Sequence, residues 1–442
     1  METKLARITE VAKMRPDEKF TSLYHHINEE MLLLCHSELS GDRASGVDQV
    51  TKDEYESNLY ANIKDLVNRL KTHSYRPLPV KRVYIDKAGT NKKRPLGLPA
   101  YEDKLVQKAL AKILNAIYEA DFLDGSFGFR PNRGCHDALK ILNHYIERKQ
   151  INYIVDADIK EYFDRVDHQW LMEFLQHRIT DPNILRLISR MLKSGVIEAG
   201  IKYDTPAGAP QGGVASPVLC NIYLHYVLDI WFEKVIRKKC RGQVYMVRYA
   251  DDFVCCFQHE HEAKMFYQAL IVRLAKFKLE IAEDKTKIIN FGRYAAQFCQ
   301  ARGRNKPDTF DFLGFTHYCG KSQKGKFRVK RRTSRKKYKA SLLRVNDWLK
   351  ANRHLPAEEL IGKLGRKLKG YYNYYAITDN GTMVDRFYDK VKKLVFKWLN
   401  RRSHRKSFNW DKFQLFCNLY PLPRAKIGVD IYNLRCHISY IL

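Results

Sequence analysis

Acidic residues are few relative to basic ones in this chain of 442 residues. There are 49 Asp and Glu against 79 Lys and Arg, which gives a formal net charge of +30 at pH 7. A surplus of this size predicts a polyanionic partner, because a protein that neutralises phosphates releases their condensed counterions and gains affinity. Nucleic acid is the simplest such partner, and an anionic membrane surface is the alternative.

Long hydrophobic runs are also lacking. No apolar stretch approaches the ~20 residues that cross a bilayer, and the basic segments lack the one-sided apolar face of an interfacial helix. The N-terminal sequence METKLAR has no apolar core of the kind found in secretory signals. We therefore expect a soluble, cytoplasmic protein without a membrane partner.

Two familiar motifs are missing as well. The 10 cysteines include no Cys-x-x-Cys pair, which argues against a zinc or dithiol site and favours reduced structural thiols. Gly41 and Gly46 have the spacing of a phosphate-binding loop, but Val47 and Asp48 follow where that loop needs Lys and then Ser or Thr. This excludes a nucleotide hydrolase of the P-loop type.

Adjacent acids, Asp251 and Asp252, interrupt an otherwise apolar stretch. Residues 244–248 before them and 253–257 after them are rich in Val, Phe, Tyr and Cys. Two short strands joined by an acidic turn can hold paired charges rigidly, which is what binding two Mg²⁺ ions requires. A solvated hairpin turn is the alternative, but flanks this apolar indicate that both strands lie in the core.

A third carboxylate is needed, because Mg²⁺ is a hard cation that prefers oxygen ligands. Asp158 is the best candidate, since it stands where the apolar strand at 153–157 should end, before a helical pattern that begins near Asp167. Spacing alone does not choose among the neighbouring acids, and helix capping is the alternative for the last two of them. These neighbours are Asp156, Glu161, Asp164 and Asp167.

Several ordered blocks of sequence surround these acids. They are residues 93–99 (KRPLGLP), 126–133 (SFGFRPNR), the block at Asp158, 209–217 (APQGGVASP), 249–252 (YADD), 279–287 (LEIAEDKTK) and 312–315 (FLGF). Their series resembles that of the reverse transcriptases encoded by bacterial group II introns, also called intron maturases. The resemblance covers about residues 35 to 400. Several blocks in a fixed order are far more specific than any one of them.

The resemblance implies a fold and a catalytic site. The fold would be α+β: a right-hand polymerase, with fingers and a palm built on an antiparallel sheet, followed by an α-helical thumb or maturase domain. Asp158, Asp251 and Asp252, with the backbone of Ile159, would hold two Mg²⁺ ions, with Mn²⁺ as an alternative. One ion would lower the pKa of the primer 3′-hydroxyl and the other would neutralise the triphosphate.

The same resemblance assigns nucleotide-binding residues, each with a plainer alternative. Arg94 would clamp the triphosphate, or it is a solvated surface residue. Phe163 would exclude the ribose 2′-hydroxyl, or it is a core aromatic, and Tyr162 competes with it for that position. Gln211 would contact the nucleotide or template, or it belongs to an ordinary turn. Lys285 would act as a general acid near the pyrophosphate, or it ends a helix.

Template and primer contacts are implied for a further set of residues. Paired glycines let a backbone approach a base pair closely. Ala209 stands where the family usually has Thr, which puts one local contact in doubt. The set comprises Arg130, Gly212, Gly213, Tyr249, Leu313 and Gly314.

Four regions are predicted along the chain: an N-terminal extension (1–60), fingers and palm (61–320), a basic linker and helical thumb, or maturase X, domain (321–400), and a short DNA-binding region (401–442). Residues 321–339 contain 11 Lys or Arg among 19 residues, which favours a nucleic-acid contact over a solvated linker. The predicted nucleic-acid-binding residues are Lys330, Arg331, Arg332, Arg335, Lys336, Lys337, Arg401 and Arg402.

Helical periodicity follows in three segments between residues 338 and 399, with cationic opposite faces that suit a thumb on a duplex. The cluster at 371–375 (YYNYY) resembles the family's thumb signature, with packing between helices as the alternative. The tail at 401–406 and Trp410 looks like a DNA-binding region. No His-Asn-His or paired-Cys pattern follows, so we expect no endonuclease domain and no second-strand nicking, and Cys436-His437 to be incidental.

Taken together, the resemblance implies an RNA-directed DNA polymerase of a group II intron in the bacterial cytoplasm. It would bind the intron RNA as a ribonucleoprotein, assist splicing, and copy the intron by target-primed reverse transcription. Its partners would be an RNA template with a DNA or RNA primer, target DNA and dNTPs. The alternatives are a non-mobile splicing maturase with a vestigial polymerase site and a domesticated reverse transcriptase of a defence or repair system. Three mutually repelling acids favour an active site.

Overall fold

The computed structural model describes residues 2–86, 93–402 and 408–434, with the backbone alone for Glu2. The helices are α1 (Glu2–Met14), α2 (Glu29–Glu38), α3 (Lys52–Glu56), α4 (Leu59–Lys71), α5 (Tyr101–Tyr118), α6 (Cys135–Arg148), α7 (Tyr162–Arg165), α8 (His168–Gln176), α9 (Pro182–Leu192), α10 (Ser216–Leu224), α11 (Arg237–Lys239), α12 (Glu260–Lys276), α13 (Ala295–Ala301), α14 (Arg335–Asn352), α15 (Ala357–Tyr375), α16 (Gly381–Leu399) and α17 (Trp410–Leu419). A 3₁₀ turn covers Tyr24–His26, and π-helical segments cover His225–Asp229 and Phe232–Ile236.

The strands form three sheets. They are β1 (Val80–Asp86), β2 (Lys93–Leu98), β3 (Tyr153–Ala157), β4 (Val196–Glu198), β5 (Ile201–Tyr203), β6 (Val244–Tyr249), β7 (Asp252–Phe257), β8 (Lys287–Asn290), β9 (Phe310–Phe312), β10 (Phe315–Lys321) and β11 (Phe327–Thr333). Mixed helices and antiparallel pairs confirm the predicted α+β class in outline. No helix in the described part of the chain is both long and apolar enough to cross a bilayer.

The sheet that carries the predicted acids has the strand order β6-β7-β3-β8 and is antiparallel throughout. Alternate side chains of a strand point to opposite faces, and here both faces are packed. Val155 and Cys255 enter one core together with α5 and α10, whereas Ile154 and Val254 enter another with α6. Burial on both faces explains why these strands read as continuous apolar runs. The strands predicted around the acids are confirmed.

A second sheet, of strand order β2-β1-β4-β5, lies against the loop at 205–213. β1 pairs antiparallel with β2, which places Arg94 opposite Ile85, and it pairs parallel with β4. The connection between β1 and β2, residues 87–92, lies outside the described residues. The bond from Gly97 N to Gln211 O, of 2.5 Å, ties β2 to the loop.

The third sheet, of order β11-β10-β9, corrects one prediction. Residues 321–339 do not form a linker, because β10 and β11 pair antiparallel along their whole length and α14 begins at Arg335. Val329, Arg331 and Thr333 point inward from β11, and the basic residues between them point outward. A strand that buries only every second residue needs few apolar positions. The high density of Lys and Arg in this segment therefore hid the strand pattern of β11.

Three helices follow and confirm the predicted periodicity. α14, α15 and α16 pack around a core that includes Leu349, Leu364 and Val391, and α17 adds Phe413 to it. Their outer faces carry exposed cations, which include Arg366, Lys369, Lys393 and Lys397. At the other end of the chain, α1, α2 and α4 pack on or next to α5.

Candidate active site

The acidic pair lies in the turn of a tight hairpin. Tyr249 at the end of β6 pairs with Asp252 at the start of β7, so only Ala250 and Asp251 form the turn. Ala250 has φ of 57°, a left-handed conformation of the kind that two-residue hairpins require. The strain of a non-glycine residue there indicates that the surroundings fix the turn.

Asp158 lies beside this hairpin. β3 pairs with β7 so that Asp156 is opposite Val254 and Ala157 is opposite Phe253. Continuing that register by one residue puts Asp158 across from Asp252. The three carboxylates chosen from the sequence therefore meet at one edge of the central sheet, although more than 90 residues of chain separate the first from the other two.

The electrostatics of the site are those of crowded acids. Burial, and after it the charges of Asp251 and Asp158, raise the pKa of Asp252 to about 6. Burial also raises the pKa of Asp251, with Asp158 adding to it and Arg94 opposing it. Asp156 has its pKa raised to about 7 by burial and then by Asp252. Carboxyls that resist losing protons together favour a bound cation.

Asp158 already has a cationic partner. The amino group of Lys285 donates to its Oδ2, and the backbone holds the two segments together through Ala282 N to Asp158 O at 2.8 Å. Ile159 is buried and forms an isolated bridge with Ile281. Lys285 was predicted to lie near the pyrophosphate, and the structure places it on a predicted metal ligand instead. Its role toward a nucleotide remains a prediction.

The carboxylates do not make a ready metal cage by themselves. In the described ranges, no three His, Cys, Asp or Glu side chains are arranged to hold a metal ion. The donor chemistry nevertheless fits Mg²⁺, because all three groups are carboxylates, and burial together with the neighbouring acids raises the pKa values of Asp251 and Asp252. Further oxygen ligands from a substrate would complete such a site.

A buried arginine that the sequence analysis missed fixes the acidic turn. Arg248 is fully buried and donates from Nε to Asp229 Oδ1 at 2.7 Å. Its Nη1 donates to Asn221 Oδ1 at 3.0 Å and to Ala250 O at 2.9 Å. The guanidinium therefore holds the carbonyl of the turn, and its other N–H groups donate to the buried side chains of Asp229 and Asn221. An Arg inside an apolar strand pattern was the signal available in the sequence.

The segment 125–130 supports the turn from the other side. Phe127 N donates to Arg248 O at 2.8 Å, and a Cβ added to Gly128 would lie 2.2 Å from Ala250 N. Only glycine allows this approach. Arg130 was predicted to contact the template, but it is 6% exposed and its guanidinium donates to Glu119 and to the carbonyl of Ser126. Its side chain is not available to a nucleic acid, and that prediction is wrong.

The aromatic pair after Asp158 divides its roles. Tyr162 is buried and donates its hydroxyl to Cys220 O at 2.6 Å, so it is the core aromatic. Phe163 is half-buried and meets Tyr162 edge to face, with ring centroids 5.5 Å apart. Of the two rings, Phe163 is therefore the one with exposed surface, and its contact with a sugar stays a prediction.

Gln211 and Arg94 lie on neighbouring segments, because the backbone of Gln211 accepts a hydrogen bond from β2, the strand that carries Arg94. Gln211 lines a cavity of about 440 Å³ between the second sheet and the loop at 205–211, and its Nε2 donates to Asp164 Oδ2 at 3.3 Å. Asp167, by contrast, caps α8 through a bond from Trp170 N, as its alternative reading held. Arg94 is exposed, and its charge lowers the pKa of Asp251.

The predicted template and primer residues occupy special backbone positions. Gly212 has φ of 107°, and a Cβ there would lie 2.4 Å from Gly97 O. Leu313 and Gly314 also have positive φ, and Tyr374 donates its hydroxyl to Leu313 O at 2.8 Å. The predicted residues that the structure gathers around the acidic turn include Tyr249, whereas Gly213 packs against Ser216 on α10.

The predicted nucleic-acid-binding cations divide between surface and interior. Arg331 is fully buried and donates to Asn143 Oδ1 and Val329 O, so a direct contact with nucleic acid is wrong for it. Lys337 is exposed, and its charge lowers the pKa of Asp252. The others are at least partly exposed: Lys330, Arg332, Arg335, Lys336, Arg401 and Arg402. The tail at 403–406 and Cys436-His437 lie outside the described residues.

Comparison with known proteins identifies the family. The family described as "Reverse transcriptase (RNA-dependent DNA polymerase)" matches residues 85–317, more than half of the chain. This chain belongs to the reverse transcriptase family. A second family, "Group II intron, maturase-specific domain", matches residues 328–416 of this reverse transcriptase. Together the two matches confirm the predicted resemblance to group II intron proteins.

Curated relatives of this reverse transcriptase agree. It is 38% identical to "Group II intron-encoded protein LtrA" of Lactococcus lactis subsp. cremoris over 315 residues, which are 69% of this chain and 52% of that protein. It is 31% identical to "Protein YkfC" of Escherichia coli over 322 residues, 65% of this chain and 80% of that protein. The chain thus spans about half the length of LtrA and most of YkfC.

Proposed function

We propose that this protein is an RNA-directed DNA polymerase that serves a group II intron. The observation that carries the proposal is the register between β3 and β7, which puts Asp158 across from Asp252 and beside the Asp251 turn. Three carboxylates at one sheet edge match the donor set of a nucleotidyl-transfer site. Membership of the reverse transcriptase family supports the same reaction.

Asp158, Asp251 and Asp252 would hold the divalent ions, which we propose to be two Mg²⁺. When bound, such ions supply charge neutralisation for the triphosphate and a lower pKa for the primer 3′-hydroxyl. The chain contributes a rigid frame for these ligands, because Arg248 and Gly128 hold the acidic turn. Lys285 keeps Asp158 neutralised and would move to the nucleotide when a substrate enters.

Residues around the acids would bind and select the nucleotide. Arg94, exposed but close enough to lower the pKa of Asp251, would contact the triphosphate. Phe163 would exclude a ribose 2′-hydroxyl by contact. Gln211, held by Asp164 and backed by the glycine at 212, would position the base pair. Leu313 and Gly314 would contact the primer next to Tyr374.

The wider architecture would follow a right-hand polymerase. We assign fingers and palm to about residues 61–320, with the β6-β7-β3-β8 sheet as the palm, and the thumb to α14, α15 and α16. The cationic outer faces of those helices support contact with a duplex. Residues 1–60 would be an N-terminal extension and 401–442 a DNA-binding region.

We further propose that intron RNA is the partner and that the protein assists its splicing. The support is the maturase-specific match at 328–416 and the likeness to LtrA, a group II intron-encoded protein. RNA template, DNA or RNA primer, target DNA and dNTPs would be the substrates of target-primed copying. The bacterial relatives suggest action in a bacterial cytoplasm.

Primer extension on an RNA template with Mg²⁺ and dNTPs tests the proposal. Asp251→Asn should abolish extension and leave RNA binding intact, because it removes one charge at the turn and little volume. Asp42→Asn, in an exposed loop, is the matched control and should extend normally. A wild-type protein that binds intron RNA and promotes splicing without extending any primer would establish the splicing-only alternative instead.

A further inference from the structure

A second basic surface lies at the far end of the central sheet. It is a cleft of about 1050 Å³ between the end of α6, the segment after β8 and the β10–β11 hairpin. β3 runs from Tyr153, which pairs with Asn290 near this cleft, to the acidic edge after Ala157. At roughly 3.3 Å per residue, the cleft is therefore about 16 Å or more from the acids.

The charges of this cleft are one-sided. Six cations line it, and the two acids in its wall are engaged by the protein itself. Glu147 accepts from Val329 N at 2.7 Å and pairs with Arg328, and Asp379 accepts from the Tyr432 hydroxyl. The cations are Arg148, Arg293, Lys324, Lys326, Arg328 and Lys330. The cavity near the acids differs, because Asp164 and Asp204 offset Arg82 there.

Most of these cations are without an anionic partner. Within the described residues, no carboxylate lies in ion-pair distance of Arg148, Lys324, Lys326 or Lys330. The β10–β11 hairpin and α6 present these four from two elements. Unpaired cations facing one cavity are costly for an isolated fold, since like charges repel, and a polyanion removes that repulsion.

We infer that this cleft binds the phosphate backbone of a folded RNA helix, at a site separate from the catalytic edge. The cleft would give the protein a second surface for binding RNA. This inference rests on the RNA partner of the proposed function. A helix is favoured over a single strand because the wall offers few free aromatic faces for unstacked bases. Tyr432 is covered by Arg328, whose guanidinium carbon lies 4.1 Å from the ring centroid.

The position of the cleft supports this reading. Glu147 and Arg293 belong to the part of the chain matched by the reverse transcriptase family, and Arg328 and Asp379 belong to the maturase-specific match. An RNA helix bound here would touch both matched regions at once. It would hold the RNA while the catalytic edge stays open for a primer.

Charge reversal at the hairpin tip tests the inference. Lys324→Glu/Lys326→Glu changes two exposed side chains on either side of Gly325, and Lys238→Glu/Lys239→Glu changes two exposed side chains on α11. Both pairs lower the net charge by the same amount. Binding of a 20-base-pair RNA hairpin is measured with EDTA and without dNTPs, over a series of KCl concentrations.

The hairpin-tip variant should weaken RNA binding at least about 10-fold and lower the salt slope by about two, and the control pair should change neither much. Extension of a short, eight-base-pair template–primer should be unchanged in both. Arg148→Gln, on a different element, should weaken hairpin binding in the same direction. Equal losses in both pairs, unchanged binding in the tip variant, or an equal loss for single-stranded RNA would overturn the inference.

Polymerisation and this binding fail independently. A wild-type protein that extends no primer would contradict the proposed polymerase activity, and the RNA binding measured in EDTA would be unaffected. Unchanged binding of the RNA hairpin by the tip variant, with normal primer extension, would contradict RNA binding in the cleft and leave the proposed polymerase activity supported.

Discussion

At the scale of single residues, the choice between Tyr162 and Phe163 shows how burial assigns a role. Tyr162 is buried in the core and donates its hydroxyl to Cys220 O, whereas the ring of Phe163 is partly exposed. We predict that Phe163→Ala lowers discrimination between dNTP and rNTP by at least about 10-fold, since one lost steric contact is worth that much. Single-nucleotide incorporation kinetics measure it, with Phe298→Ala as the exposed control. Unaltered discrimination would remove the assignment.

Arg248 illustrates a positioning residue rather than a catalytic one. Arg248→Met leaves Asp229 buried without its cation, and we predict a loss of about 3–5 kcal/mol in the free energy of unfolding. Chemical denaturation measures it.

The double variant Arg248→Met/Asp229→Leu should recover much of that stability, because both buried charges are then gone. It should not recover extension, because Ala250 O has still lost its donor. Recovery of full activity in the double variant would show that the arginine only stabilises the fold.

The raised pKa values of the acids predict a pH-dependent response to metal. Asp252 and Asp156 titrate near 6 and 7 in the folded protein and near 4 when unfolded, so the folded state binds more protons between these values. Their contribution to stability is therefore fully present below about pH 4 and is lost as the pH rises through about 6 and 7. Mg²⁺ binds the ionised form and reverses the loss.

We expect 10 mM Mg²⁺ to raise the melting temperature more at pH 7.5 than at pH 5.5. Thermal unfolding with and without the ion measures the difference. In Asp252→Asn the pH dependence of this gain should shrink, and an equal gain at both pH values in the wild type would contradict the carboxylate site.

At the scale of elements, the sequence predicted those helices and strands whose apolar pattern is clear. The strands around the acids were recoverable because they are short continuous apolar runs, and the three helices from α14 to α16 were recoverable because their apolar residues follow a period of 3.6. The β10–β11 pair was not, because Arg331 occupies a buried position where a pattern reading expects an apolar side chain. The structural role of Arg248 was missed for the same reason, because it too is a buried arginine within a strand.

Contacts between distant segments were beyond pattern reading altogether. The seating of the segment at 125–130 on the acidic hairpin depends on an isolated bridge between Ser126 and Arg248 and on a bare Gly128. A family resemblance marks such residues as a block, but it does not reveal that Arg130 within it points inward.

Gly128 supplies the prediction at this scale. Gly128→Ala would bring a methyl group within 2.2 Å of Ala250 N and 2.9 Å of Tyr249 C, both backbone atoms that cannot turn aside. The acidic hairpin must shift, so the rate of incorporation should fall sharply while template–primer binding persists. Gly362→Ala, where a Cβ meets nothing within 4 Å, is the control and should keep full activity. A fully active Gly128→Ala would mean that the turn tolerates displacement.

At the scale of the whole molecule, a net charge of +30 and three predicted metal ligands gathered at one sheet edge separate nucleic-acid binding from catalysis. The cationic faces of α15 and α16 and the far cleft all offer phosphate contacts, and each contact releases counterions. With six to ten such contacts, affinity for a template–primer should fall by about 10³- to 10⁵-fold between 50 and 200 mM salt. Asp251→Asn should show the same slope, because the catalytic edge contributes carboxylates rather than cations. Filter binding across that salt range measures both slopes. A nearly salt-independent affinity would mean that stacking and base contacts, rather than the basic surfaces, hold the nucleic acid.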